Sequence, residues 1–372
     1  MSVTVQSPEK LRRFPCPTCS ADLIFDPKNT CLSCPYCGYQ EAIPQSAEQI
    51  EERSYEEYLH APANKMGRLA ENALEVKCQN CGATVEFTPP QVAGDCPFCG
   101  TPIVAQPKIA DPLVAPEAIL PFHIHQQQAD VALKDWLSSR WFAPNALKRL
   151  AYREAVGGMY LPYWTYDAHT LSYYRGERGE HYYVTEYYTE TDAQGNTVQK
   201  SRQVQHTRWY SASGQVQRWF DDLLLPATRS IDPGKLNSLE PWDLNLLRPY
   251  DPAYLSGFKA QRYEVELAEG FAGAKHLMAP IIDGDARQDI GGDEQRVSDI
   301  QTHYSGITFK HILLPVYLGA YRFNQKSYQV MINARTGLVT GERPYSFWKI
   351  FFFVLSIIAI VAIIAILASV SN

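Results

Sequence analysis

Four things are absent from this sequence, and each absence closes off a class of function. There is no G-x-x-x-x-G-K-[ST] loop to cradle phosphates, no H-E-x-x-H pair, no G-x-S-x-G elbow and no G-x-G-x-x-G turn. Nucleotide hydrolysis, zinc proteolysis and the common hydrolase chemistries lose their main warrant, and no enzyme activity or small-molecule substrate is expected. There is no basic excess: 34 Lys and Arg stand against 40 Asp and Glu, a net charge of −6. The balance holds locally, with four charges of each sign in residues 1–45 and six of each in 160–220. A nucleic-acid partner, whose phosphates reward clustered cations, is not expected. The start, MSVTVQSPEKLRRF, has no apolar segment, so no secretory signal is expected. Lastly, the 19 residues from Ile350 to Ala368 contain no charge, and Ser356 is their only hydroxyl.

That last absence is a positive signal. At about 1.5 Å per residue such a helix spans roughly 28 Å, enough for a hydrocarbon core. Tyr345, Phe347 and Trp348 precede it as an interfacial belt. Arg335, Arg343 and Lys349 lie upstream and no basic residue follows. The positive-inside bias then predicts a single-pass protein of the cytoplasmic membrane, with its large N-terminal part in the cytoplasm.

What is abundant is cysteine in register. CPTCSADLIFDPKNTCLSCPYCG, from Cys16, and CQNCGATVEFTPPQVAGDCPFCG, from Cys78, both fit C-x2-C-x14-C-x2-C-G. Cys16, Cys19, Cys34 and Cys37 map onto Cys78, Cys81, Cys96 and Cys99, an internal duplication. Paired C-x2-C knuckles are zinc-ribbon spacing, and a unit of roughly 30 residues needs a metal or a bridge to hold it. A cytoplasmic setting argues against disulfides. The expectation is two structural Zn2+ ions held by these eight thiolates. Cys31 maps onto Ala93 and is the odd thiol; it could replace Cys34, but the repeat register argues against it. Tyr36 and Phe98, each beside a ligand, and Phe25 and Phe87 in the hairpins are expected to lie partly at the surface, as docking aromatics.

The stretch between the ribbons is rich in glutamate (Glu48, Glu51, Glu52, Glu56 and Glu57) and broken by Pro62. It reads as two short helical pieces that leave the ribbons semi-independent. After the second ribbon come an extended proline-rich piece, then a helix, a break at Pro144 and another helix. Ala129, Leu133, Trp136 and Leu137 form its core stripe. His123 and His125 read as structural. From Met159 the texture is that of a meandering antiparallel sheet, with TDAQGNT as a hairpin turn. DGDARQDIGGDE has carboxylates at three calcium-loop positions, Asp283, Asp285 and Glu294. Arg287 and Gln288 occupy places that a calcium loop needs for other residues. Leu314 and Pro315 echo Leu161 and Pro162, which suggests two related sheet lobes.

The fold class that follows is multidomain: two small four-cysteine zinc ribbons, an α+β domain rich in antiparallel sheet, and one C-terminal transmembrane helix. Ribbon 1 covers residues 1–45, an acidic helical linker 46–74, ribbon 2 75–107, the α+β domain 108–345 and the span 346–369. The layout, with GGMYLPYWTYDAHT, RWFDDLLLPA, EPWDL and FKHILLPVYLGAYRFNQKSYQVMINARTG, resembles the bacterial tail-anchored double zinc-ribbon membrane proteins. Their ribbons are of the transcription-factor-IIB type, and members are sometimes mislabelled primosomal replication factor Y or superfamily II helicase. The resemblance implies a membrane anchor, or scaffold, for cytosolic proteins of the phage-shock protein A and stomatin/flotillin-like classes, in a membrane-stress response. The alternative is a membrane-tethered nucleic-acid-binding ribbon protein.

Overall fold

The computed structural model describes residues 14–44, 50–60, 74–87, 93–104, 114–144, 156–191, 197–323 and 326–370. Ribbon 1 supplies β1 (Ile24–Asp26), β2 (Cys31–Ser33) and β3 (Gln40–Ala42). Next come β4 (Arg53–Ser54) and α1 (Tyr55–Leu59). Ribbon 2 supplies β5 (Leu74–Lys77), β6 (Thr84–Phe87), β7 (Ala93–Asp95) and β8 (Pro102–Val104). The body follows with β9 (Ala118–Ile119), α2 (Gln126–Ser138), β10 (Gly157–Thr191) and β11 (Thr197–Pro226). Then come α3 (Pro233–Asn237), β12 (Arg248–Pro249), β13 (Lys259–Gln261) and α4 (Leu267–Ile290). β14 (Glu294–Phe323), β15 (Lys326–Asn333), β16 (Val339–Gly341) and α5 (Phe347–Val370) complete the chain.

The sheet is not a meander. β10, β11 and β14 run for 35, 30 and 30 residues, with β10 antiparallel to both of the others. No proline interrupts residues 163–225, so nothing there removes a ladder donor. Gly176 and Gly179, and the run Ser211 to Gly214, have turn composition yet lie inside strands. A Cβ on Gly176 would meet the Arg296 carbonyl oxygen at 2.2 Å, so glycine here permits close strand approach. TDAQGNT straddles residues 192–196, which lie outside those described, but Thr191 pairs with Thr197 on either side of it. The second helix expected after Pro144 also lies outside the described residues.

Near its root the sheet is buried on both faces, which is why MYLPYWTY and HILLPVYL are apolar at nearly every position. Tyr160, Trp164, Tyr166, Phe309, Leu313 and Tyr317 enter one core cluster, while Met159, Leu161, Tyr163, Ile312, Leu314 and Val316 enter another. Adjacent strand residues point to opposite faces, so the two clusters lie on opposite sides of the sheet. The echoing segments are not two lobes: Tyr160 pairs with Pro315, Leu161 with Leu314 and Pro162 with Leu313 within one sheet.

Past this core the three strands leave as an arm, and both flanking strands bulge at its root, around Asp167. Asp222 takes a left-handed φ of 47°, its N–H donates to Asp167 Oδ1 at 2.6 Å, and Thr308 Oγ1 donates to Asp167 Oδ2 at 2.7 Å. Such paired bulges bend a sheet away from its neighbours. α4 lies along the arm and buries Phe271, Ala274, Met278, Ile282, Ala286 and Ile290, which recur at helical spacing. Asp283 and Asp285 are therefore helical and each pairs with an arginine, Arg287 and Arg218 respectively, so they form no calcium loop. Tyr174 Oη donates to Asp289 at 2.5 Å and closes the seam between arm and helix.

Candidate metal centres and their seats

Four knuckles build the two centres, and all four share one backbone design. The N–H of the residue after each C-x2-C donates to the carbonyl of its first cysteine: Ser20 to Cys16, Gly38 to Cys34, Gly82 to Cys78 and Gly100 to Cys96, at 2.8 to 3.1 Å. That residue has positive φ in every case: 60° at Ser20, 74° at Gly38, 78° at Gly82 and 66° at Gly100. Glycine enters this region freely and serine at a cost. The closed turns aim both sulfurs of a knuckle at one point.

The sulfurs of Cys16, Cys19, Cys34 and Cys37 all lie within 4.8 Å of one another, as do those of Cys78, Cys81, Cys96 and Cys99. Cys16 to Cys37 is 3.4 Å, Cys19 to Cys34 3.5 Å, Cys78 to Cys99 3.6 Å and Cys81 to Cys96 3.7 Å. A tetrahedral metal with bonds of about 2.3 Å places its thiolates about 3.8 Å apart. The residues fit the group, and each cluster could hold one metal ion. The backbone N–H of Cys37, opposed by burial and joined by that of Tyr36, brings the Cys34 thiol down to about 6. The odd thiol is in neither cluster. Cys31 sits on β2, where burial and then Asp26 push its thiol up, so it stays protonated and inert.

Both ribbons are seated on the body, which corrects the expectation of semi-independent units. Ribbon 1 belongs to the core cluster that holds Trp164, through Cys16, Leu23, Phe25, Leu32 and Cys34. Phe25 meets the Tyr254 ring edge-on at 5.3 Å, its N–H donates to Ser256 O, and Ser256 Oγ donates to Leu23 O. Ribbon 2 belongs to the opposite cluster, and its β6 pairs with β13, which joins β10. Gln329 Nε2 donates to the Phe98 carbonyl at 2.6 Å. The aromatics therefore divide: Phe25 and Phe98 are buried against the body, and Tyr36 is 82% exposed.

The segment between the ribbons is also tied down, by residues that sequence reasoning missed. β4 pairs with β14, placing Arg53 Nε 2.7 Å from Glu117 Oε1 and Lys310 Nζ 3.1 Å from Glu52 Oε1 and 2.6 Å from Asp222 Oδ1. Burial pushes Glu117 up to about 7 against the pull of Arg53, and its Oε2 accepts from the His311 N–H. Burial brings the neighbouring His311 imidazole down to about 4, and its Nδ1 lies 2.8 Å from the Val114 carbonyl. No local motif announces these contacts, because the partners are 64 to 258 residues apart in sequence, 64 for Arg53 and Glu117 and 258 for Glu52 and Lys310. Residues 61–73 lie outside those described.

α5 is long and apolar enough to cross a membrane, and none of its Phe347–Ile364 window is buried. Its root is held: Ser346 N–H donates to Phe142 O, Lys349 Nζ donates to Ala143 O at 2.8 Å, and Phe353 meets Phe142 edge-on. Trp141, 74% exposed beside this root, adds an aromatic that no sequence pattern linked to the span. His123 and His125 form no metal group among the described residues; His125 Nε2 faces Asp26 at 3.3 Å, between α2 and ribbon 1.

The chain is similar to uncharacterized protein YdjG of Bacillus subtilis (strain 168), with 25% identity over 344 residues that cover 90% of each chain. No protein-family model matches the chain, and no solved structure does.

Proposed function

We propose that this protein is a tail-anchored scaffold that recruits cytosolic proteins to the cytoplasmic face of a membrane. The observation that carries the reading is the union of an unburied apolar α5 with a body into which both four-cysteine clusters are built. Zinc is the metal, since four thiolates in a tetrahedron suit it and a closed cage leaves no position for a substrate. Its role is structural: each ribbon is too small to hold itself, and its cage fixes the surface that partners meet. Arg335, Arg343 and Lys349 ahead of α5 support an orientation with the body in the cytoplasm. The partners are proteins of the phage-shock protein A and stomatin/flotillin-like classes, and the setting is membrane stress. Affinity purification of the full chain from detergent-solubilised membranes tests this, with partners identified by mass spectrometry. Stoichiometric cytosolic proteins are expected. Recovery of the chain alone, or salt-sensitive retention on DNA in their place, would sink the scaffold reading.

A further inference from the structure

Beyond Gly179 the arm becomes two-stranded. β14 begins at Glu294, opposite Gly179, and Asp293 Oδ2 accepts from the His181 N–H, so the outer edge of β10 is open from Tyr182 to Thr191. β11 pairs only with β10 among the described residues, so its outer edge is open throughout. From His181 to Thr191 the overhang is 11 residues long, about 37 Å at roughly 3.4 Å per residue. An isolated two-stranded ribbon is marginal in water, and open strand edges are templates for another chain. The overhang has no core of its own, and Tyr183 and Tyr187 are exposed on it.

Charge identifies the occupant. From Glu180 to Thr191, β10 carries Glu180, Glu186 and Glu190 and no Lys or Arg. From Thr197 to Arg208, β11 carries Lys200, Arg202 and Arg208 and no Asp or Glu. The pairs Glu180–Arg208, Glu186–Arg202 and Tyr188–Lys200 alternate along the ladder, so all six charges share one face. The opposite face of the overhang is uncharged on β11, with Gln199, Ser201, Gln203, Gln205 and Thr207. Within the hairpin Glu186 meets Arg202 at 2.9 Å and Glu190 meets Lys200 at 2.6 Å, yet all four remain substantially exposed. One edge of the overhang is therefore acidic and the other basic.

We infer that the overhang is completed by a second copy of this chain, the tip of whose β11, residues 197–206, lies antiparallel against the open edge of β10 in the lane that β14 vacates. Glu186 and Glu190 then stand between two columns of cations. The charge pattern selects this arrangement over its rivals. Pairing β10 with β10 sets glutamates against glutamates, and pairing β11 with β11 sets cations against cations; like charges opposite one another destabilise a ladder. The contact is head-to-tail, so it propagates to a ring or a row. Because β10 and β11 are themselves antiparallel, all the arms point the same way, as copies standing side by side on a surface require. The inference stands whether or not α5 spans a membrane.

The test is the protein mass of the full chain in detergent, micelle contribution subtracted, at micromolar concentration. The wild type is expected to contain two or more chains. Replacing residues 181–207 by Asn-Gly, which leaves the three-stranded arm and α4 in place, is expected to yield a monomer. A charge-swapped chain (Glu180→Lys, Glu186→Lys and Glu190→Lys with Lys200→Glu, Arg202→Glu and Arg208→Glu) keeps every cross-strand pair within its own hairpin. It is expected to associate with itself as the wild type does, and with differently tagged wild type roughly tenfold more weakly, from the scale of cross-strand charge pairs. A monomeric wild type, an unchanged mass after removal of the overhang, or free mixing of swapped and wild-type chains would each overturn the inference.

Discussion

The two ribbons share one cysteine spacing and one knuckle turn, yet they are attached to the body in different ways. Ribbon 1 closes its own three-stranded sheet and rests on one face of the body through Phe25 and Leu23. Ribbon 2 gives its hairpin β5–β6 to the body's sheet and packs into the core on the other face. The aromatic before the last cysteine records the divergence: Tyr36 points to solvent, and Phe98 is 1% exposed. Duplication has conserved the cage and left the seat to vary. Local spacing specifies the first, and contacts with distant residues specify the second.

The largest expected effect separates the cages. Removing a thiolate forfeits metal-binding free energy on the order of 10 kcal/mol at either site, but the loss should spread differently. Cys96→Ser is expected to destabilise the body together with ribbon 2. Cys34→Ser should expose ribbon 1 amides to hydrogen exchange while β10 and β14 stay protected. Equal loss of β10 protection in both variants would break the contrast. Next is the divided aromatic position. Phe98→Ala should cost about 3–5 kcal/mol in denaturant melts, and Tyr36→Ala less than about 0.5 kcal/mol; similar costs would show that both rings are core.

A pH effect sharpens the account of the segment joining the ribbons. Burial raises Glu117 from 4.5 to about 7, so its contribution to stability is full below 4.5 and lost as pH rises through 7. Burial lowers His311 from 6.5 to about 4, so its contribution is full above 6.5 and lost as pH falls through 4. Between pH 4.5 and 6.5 the two slopes oppose. Glu117→Gln should unmask the histidine, and stability should then climb with pH over this window by up to about 1.4 kcal/mol per unit. A flat profile in the variant would remove His311 from the explanation. A local effect lies in the one knuckle without glycine. Ser20→Gly should relieve the left-handed strain and stabilise ribbon 1 by about 1 kcal/mol, read as a higher midpoint for ribbon 1 exchange; a lower midpoint would mean that the serine side chain contributes more than its backbone costs.

The legible parts were those written in local spacing. Eight of nine cysteines sort into two clusters on register alone, and Cys31 stays outside both. The uncharged run from Ile350 forms the apolar α5. The arm reads as a meander in sequence because Gly176, Gly179 and Ser211 to Gly214 carry turn composition. There the glycines serve close packing, and a Cβ on Gly214 would strike Tyr174 Oη at 2.5 Å. The docking of the ribbons was illegible for a different reason. A buried Phe25 and an exposed one look alike in sequence until Tyr254 and Phe258 are known to lie beside it.

The account rests on two metal cages built into one body, and metal content reads this directly. The full chain purified in detergent should carry about two zinc ions per chain, falling to about one in Cys34→Ser and in Cys96→Ser, to none in the double variant, and remaining at two in Cys31→Ser. A wild-type content near one or zero, or a Cys31→Ser chain that loses an ion, would contradict it.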